Sequence, residues 1–143
     1  MLVSQIMREK GRAVFSVAPD ATLSEAAQLL ARHRIGAVLI LDMHGAPAGI
    51  LSERDIVSVL AQQGAAALVR NVGSCMSSPV MTCEETDSIE DLMERMTHGR
   101  FRHLPVVQRG RVVGVVSIGD VVKTRIEETV REAQALKEYI AAG

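Results

Sequence analysis

Two short stretches carry the residue types that can do chemistry: Gly49-Ile50-Leu51-Ser52-Glu53-Arg54-Asp55 and Gly114-Val115-Val116-Ser117-Ile118-Gly119-Asp120. Each is a glycine, two branched apolar residues, a serine, two variable positions and an aspartate. The apolar pair reads as the end of a buried strand, and Ser with Asp three residues later reads as the start of a helix. A helix N-terminus presents unpaired N–H groups and a partial positive charge, so each stretch can receive an anion beside one hydroxyl and one carboxylate. The plainer reading is a capping box, with the hydroxyl on a backbone N–H and the acid reaching back to the serine N–H. Aspartate is shorter than the Glu or Gln that usually reaches back, which favours a ligand. The second copy favours it too.

The elements around these stretches must be positioned the same way twice, and the sequence repeats accordingly. Val14 to Val17 reads as a strand closed by Pro19, and Val80 to Cys83 repeats it 66 residues on. Thr22-Leu23-Ser24-Glu25 is a capping box ahead of a helical apolar stripe, and Ser88-Ile89-Glu90-Asp91 repeats it, again 66 residues on. Ala37 to Leu41 is an unbroken apolar strand, matched by Leu104-Pro105-Val106-Val107. Asp42 to Gly45 and Gln108 to Gly110 are the turns that lead into the two motif strands. Val72 to Met76 echoes Val3 to Met7 at a spacing of 69. Self-similarity at this period defines two β-α-β-β-α units. A unit of about 65 residues is marginal alone, so two units with open apolar faces should stack on one another. The boundaries expected are residues 1–64 for the first unit, 65–71 for a connector with a helical turn, 72–124 for the second unit and 125–143 for a helical extension. From Val121 to Ile140, Val122, Ile126, Val130, Ala133, Leu136, Lys137 and Ile140 recur at helical spacing, so the last helix continues or another follows it.

Composition removes several function classes. The formal charge of −1 gives no global pull toward nucleic acid or an anionic membrane. Two Phe, one Tyr and no Trp leave no stacking platform for single strands. A hydrophobic content of 48% is ample for a core, yet no apolar run approaches the ~18 residues of a membrane span. No secretory leader pattern opens the chain, and a cytoplasmic location is expected. Cys75 and Cys83 have no metal or redox spacing, and the four histidines form no His-x-x-x-His pair, so no metal site is expected.

The doubled unit, the Gly-h-h-Ser-x-x-Asp signature (h apolar) and the preceding Arg102-His103-Leu104-Pro105-Val106-Val107 resemble a tandem pair of cystathionine-β-synthase-type (CBS) domains, or Bateman module. The resemblance covers about Val3 to Val122 and is of the stand-alone bacterial sort. It implies an α/β (α+β) fold of two tandem β-α-β-β-α repeats packed with pseudo-two-fold symmetry. It also implies adenosine-nucleotide binding in clefts between the repeats, and a homodimer acting on an unknown protein partner. The family's ribose-binding aspartate maps to Asp55 and Asp120, and its phosphate-side hydroxyl to Ser52 and Ser117. Its basic residues opening the Leu-Pro-Val-Val strand map to Arg102 and His103, and its adenine pocket lies near Val17 and Cys83. Ser4 and Gly73 are weaker candidates at the unit entrances.

Residue chemistry agrees with these roles, because a carboxylate accepts from vicinal hydroxyls while N–H groups and Arg neutralise phosphate. The glycines at 49 and 114 let backbone approach closely. The repeats differ in charge. The first has Gly36-Ala37 where the second has Arg102-His103, and it carries Arg54 inside its motif and Arg34 upstream. Arg102 and His103 are thus expected to strengthen the cleft of Asp120. Few bases surround the motifs, which favours AMP or NAD(H) over a triphosphate as a regulatory ligand, with no catalytic cofactor. Two other classes stay open: a nucleotide-acting enzyme using His103 as base and Ser117 as nucleophile, and a ligand-free dimerisation module.

Overall fold

The computed structural model describes all of residues 1–143. The chain opens on helix α1 (Val3–Lys10), which the sequence reading left unassigned. Leu2 N–H donates to Gln5 Oε1 at its start, and Gly11, with φ of 93°, ends it. Strand β1 (Ser16–Val17) and helix α2 (Leu23–His33) follow, then β2 (Ala37–Leu41), β3 (Pro47–Ser52) and α3 (Glu53–Gln63). A 3₁₀ turn over Gly64–Val69 is the connector, and a second over Val72–Ser74 enters the other unit. That unit contains α4 (Ile89–Gly99), β4 (His103–Gln108), β5 (Arg111–Ser117) and α5 (Ile118–Ala142). The extension is one helix with α5, 25 residues long.

Caps form where the pattern places them. Thr22 Oγ1 accepts from Glu25 N–H at 3.1 Å and Ser88 Oγ from Asp91 N–H at 3.1 Å. In the first sheet β1 runs parallel to β2 (Ser16 opposite Leu39) and β2 antiparallel to β3 (Ala37 opposite Ser52). The second sheet pairs β4 with β5, His103 opposite Ser117. Its expected third strand over Val80 to Cys83 shrinks to one parallel bridge, Cys83 to Val106. The reason is Pro105. In the first unit Leu39 N–H donates to Phe15 O at 3.2 Å, and Pro105, its equivalent, has no N–H to continue that ladder.

Each unit has its own core, but each core borrows an entry segment. Val3, Ile6 and Met7 of α1 pack with Leu92, Leu104, Val116 and Val121 of the second unit. Val72, Cys75 and Met76 pack with Leu23, Val38, Leu51 and Ile56 of the first. The two motif glycines belong to this arrangement. A Cβ on Gly49 would overlap Met76 Sδ, and one on Gly114 would overlap Met7 Cε, so both glycines make room for a methionine rather than for a ligand. Val72 to Met76 does not form a full helix as Val3 to Met7 does. Gly73-Ser74 is a poor helix former, and Ser74 Oγ bonds back to Asn71 O at 2.7 Å.

Candidate functional site

The start of β2, the end of β3 and the first turn of α3 come together against the Arg100-Phe101-Arg102-His103 stretch of the other unit. Between them lies a cleft of about 460 Å³, lined by Gly36, Ala37, Ile50, Ser52, Glu53, Arg54, Asp55, Ser77 and residues 100 to 103. Ser52 is placed by β3 and by its own role as the cap of α3. Its Oγ accepts from Asp55 N–H at 3.2 Å, and Asp55 Oδ2 accepts from Ser52 N–H at 2.8 Å. The same reciprocal pair holds at Ser117 and Asp120, at 3.2 and 2.9 Å. Aspartate therefore does reach back, contrary to the expectation that it is too short. The strand-like backbone of the capping serine, φ −100° and ψ 165° at Ser52, brings its N–H toward the carboxylate. Capping uses one carboxylate oxygen only, and Asp55 Oδ1 is left facing no protein donor.

The cleft is basic, with Arg54, Arg100 and Arg102 against Glu53 and Asp55. Arg100 is held by its left-handed backbone, φ 55° and ψ 35°, at the end of α4. His103 lies at the inner wall, and a Cβ on Gly36 would lie 3.9 Å from its Cε1. Burial pushes the His103 imidazole below its usual pKa, Lys10 and Arg102 push the same way, and Asp120 opposes them. His103 is accordingly neutral at neutral pH.

The other motif sits differently. Lys10, at the last turn of α1, donates from Nζ to Asp120 Oδ2 at 2.5 Å and to Val115 O at 2.8 Å. Burial alone would raise the Asp120 pKa, but the Lys10 ammonium and the Ser117 N–H outweigh it and hold the carboxyl below the usual range. Beside Lys10 is a small apolar cavity of about 150 Å³ lined by Ala13, Phe15, Ile35, Leu39, Ile50 and Val115 among others.

Of the residues singled out in the sequence, Ser52, Arg54, Asp55, Arg102 and His103 meet in the larger cleft. Arg102 and His103 thus line the cleft of Asp55 of the other unit, where the sequence grouped them with Asp120, while His103 also stays near enough to Asp120 and Lys10 to feel their charges. The starts of β2 and β4 meet across the two units, so the basic residues of one unit oppose the helix terminus of the other. Ser117 and Asp120 line neither cavity. Val17 packs against the first core, and Cys83 is 2% exposed in the second, its thiol pushed up to about 12 by burial. Ser4 lies in α1 with its N–H on Glu85 O at 3.0 Å, and Gly73 N–H is on Pro19 O at 3.0 Å. Arg34 is an exposed left-handed residue closing α2. The reading missed Arg100, Ser77 and Lys10. The signal for Arg100 was its 66-residue register with Arg34. No three His, Cys, Asp or Glu side chains gather as a metal site, and no helix is long and apolar enough to cross a membrane.

Comparison with known proteins agrees with this architecture. The family described as "CBS domain" matches residues 3–62 and 69–127. A CBS-domain protein of Agrobacterium tumefaciens, ATU1752, is 47% identical with a TM-score of 0.82, over 87% of this chain and 92% of that one. The CBS domain protein PAE2072 of Pyrobaculum aerophilum, solved in complex with AMP, is 31% identical with a TM-score of 0.75, over 84% of this chain and 89% of that one. The mitochondrial CBS domain-containing protein CBSX3 of Arabidopsis thaliana is 31% identical over 99% of this chain and 72% of its own length. With two β-α-β-β-α-like repeats, each matched separately, the chain belongs to the CBS-domain family as a tandem pair, a Bateman module.

Proposed function

We propose that the protein is a non-catalytic adenosine-nucleotide sensor whose ligand, AMP or NAD(H), binds in the cleft between Asp55 and Arg102. The observation that carries this reading is the cleft itself. Its roughly 460 Å³ falls among volumes usual for small-molecule sites, ~300–1,000 Å³. It also combines a carboxylate with a spare oxygen, the N-terminus of an 11-residue helix and three arginines. In this reading Asp55 Oδ1 accepts from the ribose hydroxyls. The phosphate meets the first turn of α3, Ser52 and the guanidinium groups. His103, neutral in the free protein, contributes an N–H and gains a proton only as phosphate charge arrives beside it. A relative whose structure holds AMP supports the same ligand class.

The test is mass spectrometry of small molecules carried through purification, followed by thermal unfolding of stripped protein with AMP, NAD(H) and guanine nucleotides. A ligand at about a hundredfold excess over its Kd stabilises by about 2.7 kcal/mol, and adenine compounds should do so more than guanine ones. Unmoved melting temperatures with every adenine compound would sink the proposal.

We further infer a homodimer formed through α5. Ile126, Val130, Leu136, Tyr139 and Ile140 are all more than half exposed along one helix, a larger apolar run than a monomer usually shows. Ile126→Glu should then halve the mass in light scattering. A monomeric parent protein at micromolar concentration refutes the inference. An occupancy-dependent change in this dimer or its surface would be read by a protein partner.

A further inference from the structure

Helix α5 continues well past the unit that begins it. Over its first three turns Val121 and Thr124 are buried, Arg125 reaches Glu90 of α4 at 3.5 Å, and Glu128 is half-buried. From Thr129 to Ala142 every residue is exposed, so about four turns, or about 21 Å of helix, stand clear of the body. A helix of that length is marginal in water by itself and needs packing to persist. That packing does not come from its own unit. Val121, Thr124 and Glu128 share the packed face, whereas Val122, Ile126, Thr129, Ala133, Leu136 and Ile140 form an exposed row roughly 120° round the helix. The six succeed one another at intervals of 4, 3, 4, 3 and 4, the spacing of a coiled-coil seam.

Resting on the homodimer reading above, we propose that α5 pairs along this seam with α5 of a second copy of the chain, as a parallel, in-register, two-stranded coil. Ile126, Ala133 and Ile140 then take one set of core positions, and Val122, Thr129 and Leu136 the alternate set. Branched Ile in the first set with Leu in the second favours two strands. Thr129 Oγ1 donates to Arg125 O at 3.0 Å, so its hydroxyl is satisfied within the helix and brings no unpaired group to the seam. The flanking charges set the direction. In a parallel pair Glu132 of each helix faces the partner's Lys137, five residues further on, and symmetry makes the attraction twice. Run antiparallel over the same six residues, Lys123 would face the partner's Lys137 and Glu132 the partner's Glu132, like charges throughout. Both bodies therefore lie at the same end of the coil.

The experiment is sedimentation equilibrium of the parent chain, Glu132→Lys, Lys137→Glu and the double variant, together with disulfide trapping of Ile140→Cys and Ala135→Cys. The trapping variants also carry Cys75→Ser, and Cys83 is buried. Positions 132, 135, 137 and 140 are all exposed, and circular dichroism establishes that each variant is folded. In the parallel coil each single charge variant sets like charges opposite one another twice. Each should weaken the dimer about three- to tenfold at low salt, and the double variant should recover it. With oxidised glutathione, Ile140→Cys should link two chains, because a parallel seam brings the two residues together, and Ala135→Cys, on the far side of the helix, should not. In an antiparallel pair the two residues at 140 lie roughly 27 Å apart, and Lys137→Glu meets Lys123 and tightens the dimer. A dimer that Lys137→Glu tightens or leaves unchanged, that the double variant does not recover, or that links at 135 as readily as at 140 overturns the parallel coil while leaving the homodimer intact. A parent protein that is monomeric at micromolar concentration overturns both together.

Discussion

Arg102→Ala tests the cross-unit pairing most directly, because sequence order and structure assign Arg102 to different clefts. Arg102 is exposed and projects into the cleft that contains Ser52 and Asp55. A charge-assisted hydrogen bond to phosphate contributes about 1.5–3 kcal/mol. Solvent screening at an exposed guanidinium places the effect at the lower end. The expected loss is therefore about tenfold in AMP affinity, shrinking further as salt is raised, since the Debye length is only ~8 Å at 0.15 M. Titration calorimetry on the parent, Arg102→Ala, Asp55→Asn and the double variant gives the coupling. Asp55→Asn keeps an oxygen for the Ser52 N–H, so it tests the carboxylate charge with the cap of α3 in place. Both single variants should weaken one and the same site. An Arg102→Ala protein that binds AMP within twofold of the parent would refute the assignment. So would an Arg102→Ala effect confined to a site lost with Asp120→Ala.

Packing and titration supply two more predictions. Gly49→Ala places a Cβ 2.7 Å from Met76 Cγ and 3.1 Å from its Cβ, contacts close to the backbone that cannot be relieved by the chain end alone; a loss of about 1–3 kcal/mol in urea unfolding is expected. Gly114→Ala meets only the terminal Cε and Sδ of Met7, so its loss should be the smaller of the two, and the reverse order would contradict the packing described. His103 has its pKa lowered by burial from an unfolded value of 6.5, so the unfolded chain takes up this proton first as pH falls. Its contribution to stability is complete above about pH 6.5 and is lost as the pH drops from there toward the folded pKa. His103→Gln should flatten the decline of urea midpoints below pH 6.5, and an unchanged slope would show that burial of His103 is not responsible.

Local patterns were legible wherever a residue's role depends on near neighbours. The caps at Thr22, Ser52, Ser88 and Ser117, and the apolar strands between them, are fixed by spacings of three or four residues. The repeat turned those into a fold, because each element could be checked against its copy. Misreadings arose where the copies differ by one atom group. Pro105 removes the single N–H that would extend the second sheet, and Gly73-Ser74 cannot sustain the helix that Ser4-Gln5 does. The second copy of a pattern is evidence for its function only where the substituted residues keep the same donors and acceptors.

The site itself was half legible, for a reason that lies in how the units are joined. Sequence order groups Arg102 and His103 with Ser117 and Asp120, fourteen or more residues downstream on the same hairpin and helix. Register even puts His103 opposite Ser117. But the starts of β2 and β4 meet where the two units stack, a Cβ on Gly36 lying 3.9 Å from His103 Cε1. Arg102 and His103 thereby also line the cleft at the other unit's helix terminus. The exchange of entry segments has the same consequence at the other site. Because α1 belongs to the second core, its last residue, Lys10, arrives beside Asp120 from 110 residues away. A motif thus announces which carboxylates are available. What surrounds each is set by contacts across the unit boundary, Arg102 in the cleft of Asp55 and Lys10 paired with Asp120.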